Sequence, residues 1–190
     1  MIFQVTGLPR SGTAFIASFL NLHQLCFCHH DLAADRDDWK EHSDELAISW
    51  PFVGEVSTYG WLPRAQRDNV VAPRVAIFRD PEDSHAALKR IMGERVGGVD
   101  PFIKASSALR EWAHKVDALC VPFDELHTVP ALQQIWKHIF KAELGVPFPV
   151  EKAQQMITMN VQRNKPQEAF GDARLLRQRL LTPWPQVGSH

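Results

Sequence analysis

Hydrophobic residues follow two alternating patterns along the chain. Short apolar runs predict strands at residues 2–6, 25–28, 52–57, 74–78 and 118–121. Longer stretches with an apolar stripe predict helices at residues 11–22, 32–48, 81–92, 102–116 and 129–142, and glycines at 93–100 predict a loop. Strands that alternate with helices are typical of βαβ units. We therefore expect an α/β fold with three layers (αβα), in which a mostly parallel sheet of four or five strands has helices on both faces.

Composition and charge bear on domain number, partners and location. With 190 residues, 45% hydrophobic and 23% charged, the chain has the proportions of one soluble globular domain, residues 1–190. The 21 Lys and Arg residues nearly balance the 22 Asp and Glu residues, so no overall field attracts nucleic acid. No apolar run reaches the length of a membrane span, no signal peptide is recognisable, and three cysteines do not make a disulfide framework. We expect a cytoplasmic protein without nucleic-acid or membrane partners, of undetermined oligomeric state.

The most informative segment is the loop GLPRSGTA, which begins at Gly7 between a predicted strand and a predicted helix. Such a loop presents backbone N–H groups and the positive end of a helix dipole to an anion. Gly7 and Gly12 have the Walker A spacing, but Thr13 and Ala14 stand where a nucleotide triphosphatase needs Lys and then Ser or Thr. Ala14 cannot ligate Mg²⁺, and the cation, Arg10, lies within the loop. The segment therefore predicts a phosphate or sulfate site without the groups that bind a metal–nucleotide complex.

The run GLPRSGT resembles the 5′-phosphosulfate loop of the sulfotransferase family, G-x-P-[RK]-S-G-T, in a short bacterial or phage form. The resemblance implies a P-loop-containing fold and transfer of a sulfuryl group from 3′-phosphoadenosine 5′-phosphosulfate to a hydroxyl or amine of a small-molecule or glycan-like acceptor. It implies no metal. The loop residues that it implies in donor binding are Gly7, Pro9, Arg10, Ser11, Gly12, Thr13 and Ala14.

A second segment, RDPED from Arg79 to Asp83, resembles the family's R-[DN]-P-x-D motif at the end of a strand. The resemblance implies that Arg79, with a serine eight residues later, holds the 3′-phosphate of the donor. That position is Ala87 here, and Ser84 is the nearest hydroxyl, so selectivity for the 3′-phosphate is left open. The alternative is that Arg79 only pairs with Asp83.

A third and weaker match is VPFDEL at residues 121–126, which resembles a structural motif of bacterial sulfotransferases and carries no predicted site. The resemblance covers residues 1–150, and residues 151–190 are predicted to contain two short helices and a proline-rich tail. Arg163 and Lys165 of this segment are candidates for the 3′-phosphate, with a solvated charge pair as the alternative.

Candidates for the catalytic base follow the second predicted strand. Sulfuryl transfer needs a base for the acceptor proton and positive groups such as Arg10 near the leaving phosphate. Several sulfotransferases have a catalytic Glu about twenty residues after the loop cation, and this position corresponds to Asp31 here. Asp31 is the first candidate and His30 the second. The alternative for Asp31 is to cap the acidic helix that follows it.

Other residues near these strand ends have weaker assignments. Cys26, Cys28 and the adjacent histidines lack the second ligand pair of a zinc site, so we expect buried cysteines and no metal. Glu55, Ser57 and Tyr59 are candidates for the lining of the acceptor pocket.

Two further classes of function stay open at the level of sequence. A P-loop kinase or NTPase would need another Mg²⁺ ligand in place of Ala14, and a non-catalytic binding or structural module is possible because a fold does not fix a function.

Overall fold

The structure, a computed structural model, describes residues 1–30, 39–58, 73–140 and 147–159. Its strands are β1 (Ile2–Gly7), β2 (Cys26–His30), β3 (Phe52–Ser57), β4 (Arg74–Phe78) and β5 (Leu119–Pro122). Its helices are α1 (Thr13–Leu20), α2 (Trp39–Leu46), α3 (Pro81–Met92), α4 (Asp100–Lys115), α5 (Val129–Phe140) and α6 (Val150–Met159), with 3₁₀ turns at Gly93–Val96 and Phe123–Glu125. Within these residues, no helix has both the length and the apolar character needed to cross a membrane.

The strands form one parallel sheet in the order β2-β3-β1-β4-β5, which confirms the predicted three-layer α/β fold. The chain passes from β1 over β3 to β2, whereas it runs in the opposite direction from β4 to β5. Right-handed crossovers therefore place α1 on one face of the sheet and α3 and α4 on the other. The connections after β1 and β4 diverge and leave a crevice at the carboxyl ends of these strands, which is the usual ligand position in such sheets.

The face of the sheet under α1 and α5 carries the main hydrophobic core. Phe3 and Val5 of β1 lie in it, because alternate residues of a strand share a face. The helices contribute Phe15, Ile16, Phe19 and Leu20 from α1 and Leu132, Ile135, Trp136, Ile139 and Phe140 from α5. This packing fixes α1 against β1, so the first turn of α1 is held at the carboxyl edge of the sheet.

The opposite face of the sheet is apolar where α4 packs on Ala76 of β4, and it is polar along a row that crosses four strands. Ala76 of β4 packs with Leu109 and Ala113 of α4 in a second, smaller core. The strand register aligns one polar residue from each of four neighbouring strands, namely His29, Glu55, Gln4 and Arg74. Gln4 and Glu55 are fully buried. This polar row was not expected from the hydrophobic pattern, which predicted only which segments are strands.

Several predicted details are corrected. The fifth strand, β5, begins at Leu119 instead of residue 118 and lies at an edge of the sheet, where Val121 is buried and Cys120 is exposed. The first helix begins at Thr13 instead of residue 11, because the loop extends through Gly12, and part of the predicted loop at 93–100 forms a 3₁₀ turn. Of the predicted helix 32–48, residues 39–48 are described, and the helix there, α2, ends at Leu46. In the predicted C-terminal segment 151–190, helix α6 is described and residues 160–190 lie outside the described residues.

Candidate functional site

The loop between β1 and α1 has the backbone conformation of an anion-binding turn. Arg10 and Gly12 both have left-handed backbones, with φ of 65° and 86°. The Ser11 N–H donates to the Leu8 carbonyl at 3.1 Å, which tightens the turn. Gly12 precedes α1 and offers no side chain to cap it. Because the first N–H groups of a helix have no acceptor within the helix, the first turn of α1 can bind an external anion.

Two hydroxyl groups lie within this loop and the start of α1. Ser11 is fully buried, and its Oγ has no hydrogen-bond partner among the described residues. The Oγ1 of Thr13 lies 3.1 Å from the Nε2 of His30, an exposed residue at the end of β2. Ala14, on the same turn, is exposed. The hydrogen bond between Thr13 and His30 brings the predicted base next to the predicted anion loop.

Arg79 reaches the same loop from the end of β4. Its Nη1 donates to the Arg10 carbonyl, and its guanidinium carbon lies 4.2 Å from the centre of the Phe123 ring. Burial lowers the pKa of the Arg79 guanidinium below its usual value, and the carboxylate of Asp83 opposes this shift. The guanidinium keeps its positive charge, because arginine titrates far above neutral pH. Arg10, whose side chain is exposed at the loop, is a second positively charged group in the described part of the site.

Ser84, on the first turns of α3, contacts the loop as well. The side chain is fully buried, and its hydroxyl donates to the Pro9 carbonyl. Arg79 and Ser84 therefore bind consecutive carbonyl groups of the loop, those of Arg10 and Pro9. Ala87, one turn later on α3, is 7% exposed and offers only a methyl group.

The structure brings most of the predicted site residues together at one edge of the sheet. The residues that meet there are Gly7, Pro9, Arg10, Ser11, Gly12, Thr13, Ala14, His30, Arg79 and Ser84. Asp31, Tyr59, Arg163 and Lys165 lie outside the described residues, and their assignments stay predictions. Glu55 and Ser57 are buried within β3 instead of following its end.

Phe123 is a site residue that the sequence analysis missed. Its ring lies under the Arg79 guanidinium and packs at 5.7 Å from the ring of His127, which in turn lies 4.7 Å from the ring of Phe15 on α1. Burial lowers the pKa of His127. Its place in the sequence could have identified Phe123 as a site residue, because it directly follows β5 and the carboxyl ends of parallel strands share one edge of the sheet.

The cysteines of β2 are packed as apolar side chains. Cys26 and Cys28 are buried, and burial raises the pKa of both thiols above its usual value, so both are neutral at physiological pH. Among residues 1–30, 39–58, 73–140 and 147–159, no three His, Cys, Asp or Glu side chains are grouped as metal ligands. The absence of bound zinc stays a prediction, which metal analysis of the purified protein would test.

The comparisons with known proteins do not add to this description. No protein-family model matches the chain, and no curated protein matches it. The geometry of the loop and the groups around it therefore carries the functional interpretation.

Proposed function

We propose that the chain is a sulfotransferase-like enzyme that transfers a sulfuryl group from 3′-phosphoadenosine 5′-phosphosulfate to a hydroxyl or amine of a small-molecule or glycan-like acceptor. The observation that carries the proposal is the meeting of the uncapped loop before α1 with Arg79 and His30 at the carboxyl edge of the sheet. These groups supply an anion cradle, a fixed cation and a proton acceptor. The motif GLPRSGT and the RDPED segment support the choice of donor.

The proposed reaction divides these tasks among the residues. The acceptor oxygen or nitrogen attacks the sulfur, the bond from sulfur to the 5′-phosphate oxygen breaks, and adenosine 3′,5′-bisphosphate leaves. The N–H groups at the start of α1 and the Arg10 guanidinium stabilise the charge that grows on the leaving phosphate. Asp31 or His30 takes the acceptor proton, and the Thr13 hydroxyl orients the His30 ring through its hydrogen bond to Nε2. The proposed reaction requires no metal.

Donor binding can be tested by thermal unfolding with adenosine 3′,5′-bisphosphate and with ATP, each with and without Mg²⁺. A ligand at 100 times its Kd adds about 2.7 kcal/mol, and each kcal/mol raises the Tm by roughly 2–4 °C at this size. We expect a rise with the bisphosphate that does not depend on Mg²⁺. No rise with the bisphosphate would leave a non-catalytic module as the better interpretation, and Mg²⁺-dependent ATP binding would favour a kinase.

Arg79→Ala tests whether the rise comes from this site, and Arg110→Ala is its matched control. Arg110 is also an arginine stacked on a phenylalanine, with its guanidinium 4.7 Å from the Phe78 ring centre, but it lies on α4 and has no hydrogen bond to the loop. We expect the bisphosphate to stop raising the Tm in Arg79→Ala and to raise it as before in Arg110→Ala. Equal responses of the two variants would contradict the proposed site.

The base is tested by release of labelled sulfate from the donor, with water as the acceptor. Asp31→Asn and His30→Ala remove the two candidates separately, and His114→Ala removes an exposed histidine of α4 as a control. We expect the larger loss of rate with Asp31→Asn. Unchanged turnover in Asp31→Asn together with an inactive His30→Ala would assign the base to His30.

A cytoplasmic location is part of the same proposal. All three cysteines are free in the structure, as is usual in a reducing compartment.

A further inference from the structure

The hydroxyl of Ser84 forms its hydrogen bond with the loop and not with the crevice. A serine hydroxyl has one proton to donate, and Ser84 donates it to the Pro9 carbonyl. The side chain is 0% exposed, so a ligand in the crevice does not reach it without displacing the loop. Ser84 is therefore placed to hold the loop and not to bind a phosphate.

Arg79 is occupied in a similar way. Its Nη1 donates to the Arg10 carbonyl, and one face of its guanidinium is covered by the Phe123 ring at 4.2 Å. Its Nε is buried, without a hydrogen-bond partner among the described residues. The Phe123 ring and the Arg10 carbonyl thus fix the position of the Arg79 guanidinium.

Together these two side chains, which we call the loop clamp, orient the peptide groups of the loop. In a trans peptide the N–H points opposite to the carbonyl of the same unit. Holding the Pro9 carbonyl toward α3 therefore turns the Arg10 N–H away from α3 and toward the open side of the loop. Arg10 also has a left-handed backbone, which a residue with a side chain keeps only when its surroundings impose it. The loop clamp supplies that constraint.

Little is then left on α3 to recognise a second phosphate. The hydroxyl of Ser84 is already used, and Ala87, on the next turn of the same helix face, has no polar group. The acidic residues Glu82 and Asp83, both exposed on the first turn of α3, would repel an additional phosphate.

We propose that Arg79 and Ser84 are positioning residues that preorganise the Gly7–Gly12 loop, and that the site binds adenosine 5′-phosphosulfate donors whether or not they carry a 3′-phosphate. This inference rests on the proposed function and widens its range of donors, because the described loop recognises the 5′-group and α3 does not recognise the 3′-phosphate. It also means that the loop clamp determines the shape of the anion cradle and does not form a subsite for the ligand.

The first test uses the unmodified chain, so it does not depend on the folding of a variant. Calorimetric titration without metal compares adenosine 3′,5′-bisphosphate with adenosine 5′-monophosphate. We expect the two Kd values to agree within about fivefold, since the two nucleotides differ only in the 3′-phosphate, to which Ser84 and Ala87 offer no free polar group. A bisphosphate that binds more than about fivefold more tightly would overturn this inference and leave the proposed function intact. Binding of neither nucleotide would overturn the proposed function itself.

The second test separates a positioning role of Ser84 from direct contact with a ligand. Ser84→Ala should weaken both nucleotides by about tenfold each and leave their ratio unchanged, because it loosens a shared cradle. Ser84→Thr keeps the donor hydroxyl and should restore most of the affinity. Ser106→Ala, the same change at another buried serine, on α4, should leave both affinities as they are. Selective loss of the bisphosphate in Ser84→Ala would identify Ser84 as a ligand of the 3′-phosphate and contradict the inference.

Discussion

Two strand–helix junctions lie side by side at the carboxyl edge of the sheet, and only one is closed by its own side chains. At the junction of β4 and α3, the Asp80 carboxylate accepts hydrogen bonds from the N–H groups of Glu82 and Asp83 at 2.8 and 3.1 Å. Pro81 follows the cap and has no N–H to satisfy. Glu82 and Asp83 also place negative charge at the positive end of the helix dipole. This junction therefore has no need of an external anion.

The junction of β1 and α1 has none of these features. Its N-cap is Gly12, no side chain caps the helix, and the first turn carries no acidic residue. Its free N–H groups and dipole are available to a ligand. The two helices lie in similar positions but differ in their first turns: the closed junction contributes Arg79 and Ser84 as the loop clamp, and the open junction is the proposed anion site.

Substitution of Gly7 should break the open junction most severely. A Cβ at this position would lie 2.2 Å from the Ser11 Oγ and 3.0 Å from the Ile77 carbonyl oxygen. We expect Gly7→Ala to lower the free energy of unfolding by about 2–3 kcal/mol, measured by urea denaturation, and to abolish nucleotide binding. Gly98→Ala is the control, because among the described residues no atom beyond its two chain neighbours lies within 4 Å of the added Cβ. Similar stability of the two variants would show that the loop is not packed as described.

A carboxylate placed at the open junction should make it resemble the closed one. Ala14 is exposed on the first turn of α1, so Ala14→Asp puts a negative charge where the ligand anion would bind. We expect the affinity for adenosine 3′,5′-bisphosphate to fall by about tenfold or more, and the stability of the free protein to rise by about 0.5 kcal/mol.

The control is Ala86→Asp, which makes the same change in net charge at an exposed position of α3. It should leave the affinity for the bisphosphate within about twofold of the original value. Equal losses in the two aspartate variants would mean that the ligand responds to net charge and not to the start of α1.

Removal of the cap should weaken the closed junction without changing the ligand site. Asp80→Ala loses the acceptor for two N–H groups of α3, and we expect a loss of about 1 kcal/mol of stability in urea denaturation. Asp80→Asn keeps an acceptor oxygen and should retain most of the stability. Nucleotide affinity should be unchanged in both variants, and a large loss of affinity would mean that the cap also shapes the anion site.

The smallest expected effect is an acid sensitivity of the packing around α1. His23, which follows α1, is buried against Phe140, with its Nδ1 accepting the Leu25 N–H, and burial lowers its pKa. Below the ordinary histidine pKa of about 6.5, the unfolded chain binds the proton before the folded chain does. The contribution of His23 is therefore complete above that pH and decreases as the pH falls toward the lowered folded pKa.

Urea denaturation between pH 7.5 and 5.5 measures this loss, and His23→Asn should flatten it. Asn keeps an acceptor near the Leu25 N–H but does not take up a proton. An unchanged pH dependence in the variant would assign the effect to another group, of which His127 is the first candidate because burial lowers its pKa as well.

Much of the fold and of the site could be predicted from local patterns. The strands at residues 52–57 and 74–78 and the helix at 81–92 agree with β3, β4 and α3, because each pattern lies within a few neighbouring residues. The loop from Gly7 was identified for the same reason. The contact of Phe123 with Arg79 was not predicted, and neither was the register that places Gln4 beside Glu55. Both join parts of the chain that are distant in sequence.

The amino-acid sequence alone specifies the kinds of elements, their order and the open first turn of α1, since periodicity, glycine and capping act over a few residues. The adjacency of the ends of β1 and β4, and the hydrogen bond from Ser84 to the Pro9 carbonyl, become visible in the tertiary structure. Strand order results from burying apolar surface on both faces of the sheet at once, a sum over the whole chain that no local pattern contains. The direction of a single hydroxyl proton depends in turn on that order, because the acceptor lies 75 residues away.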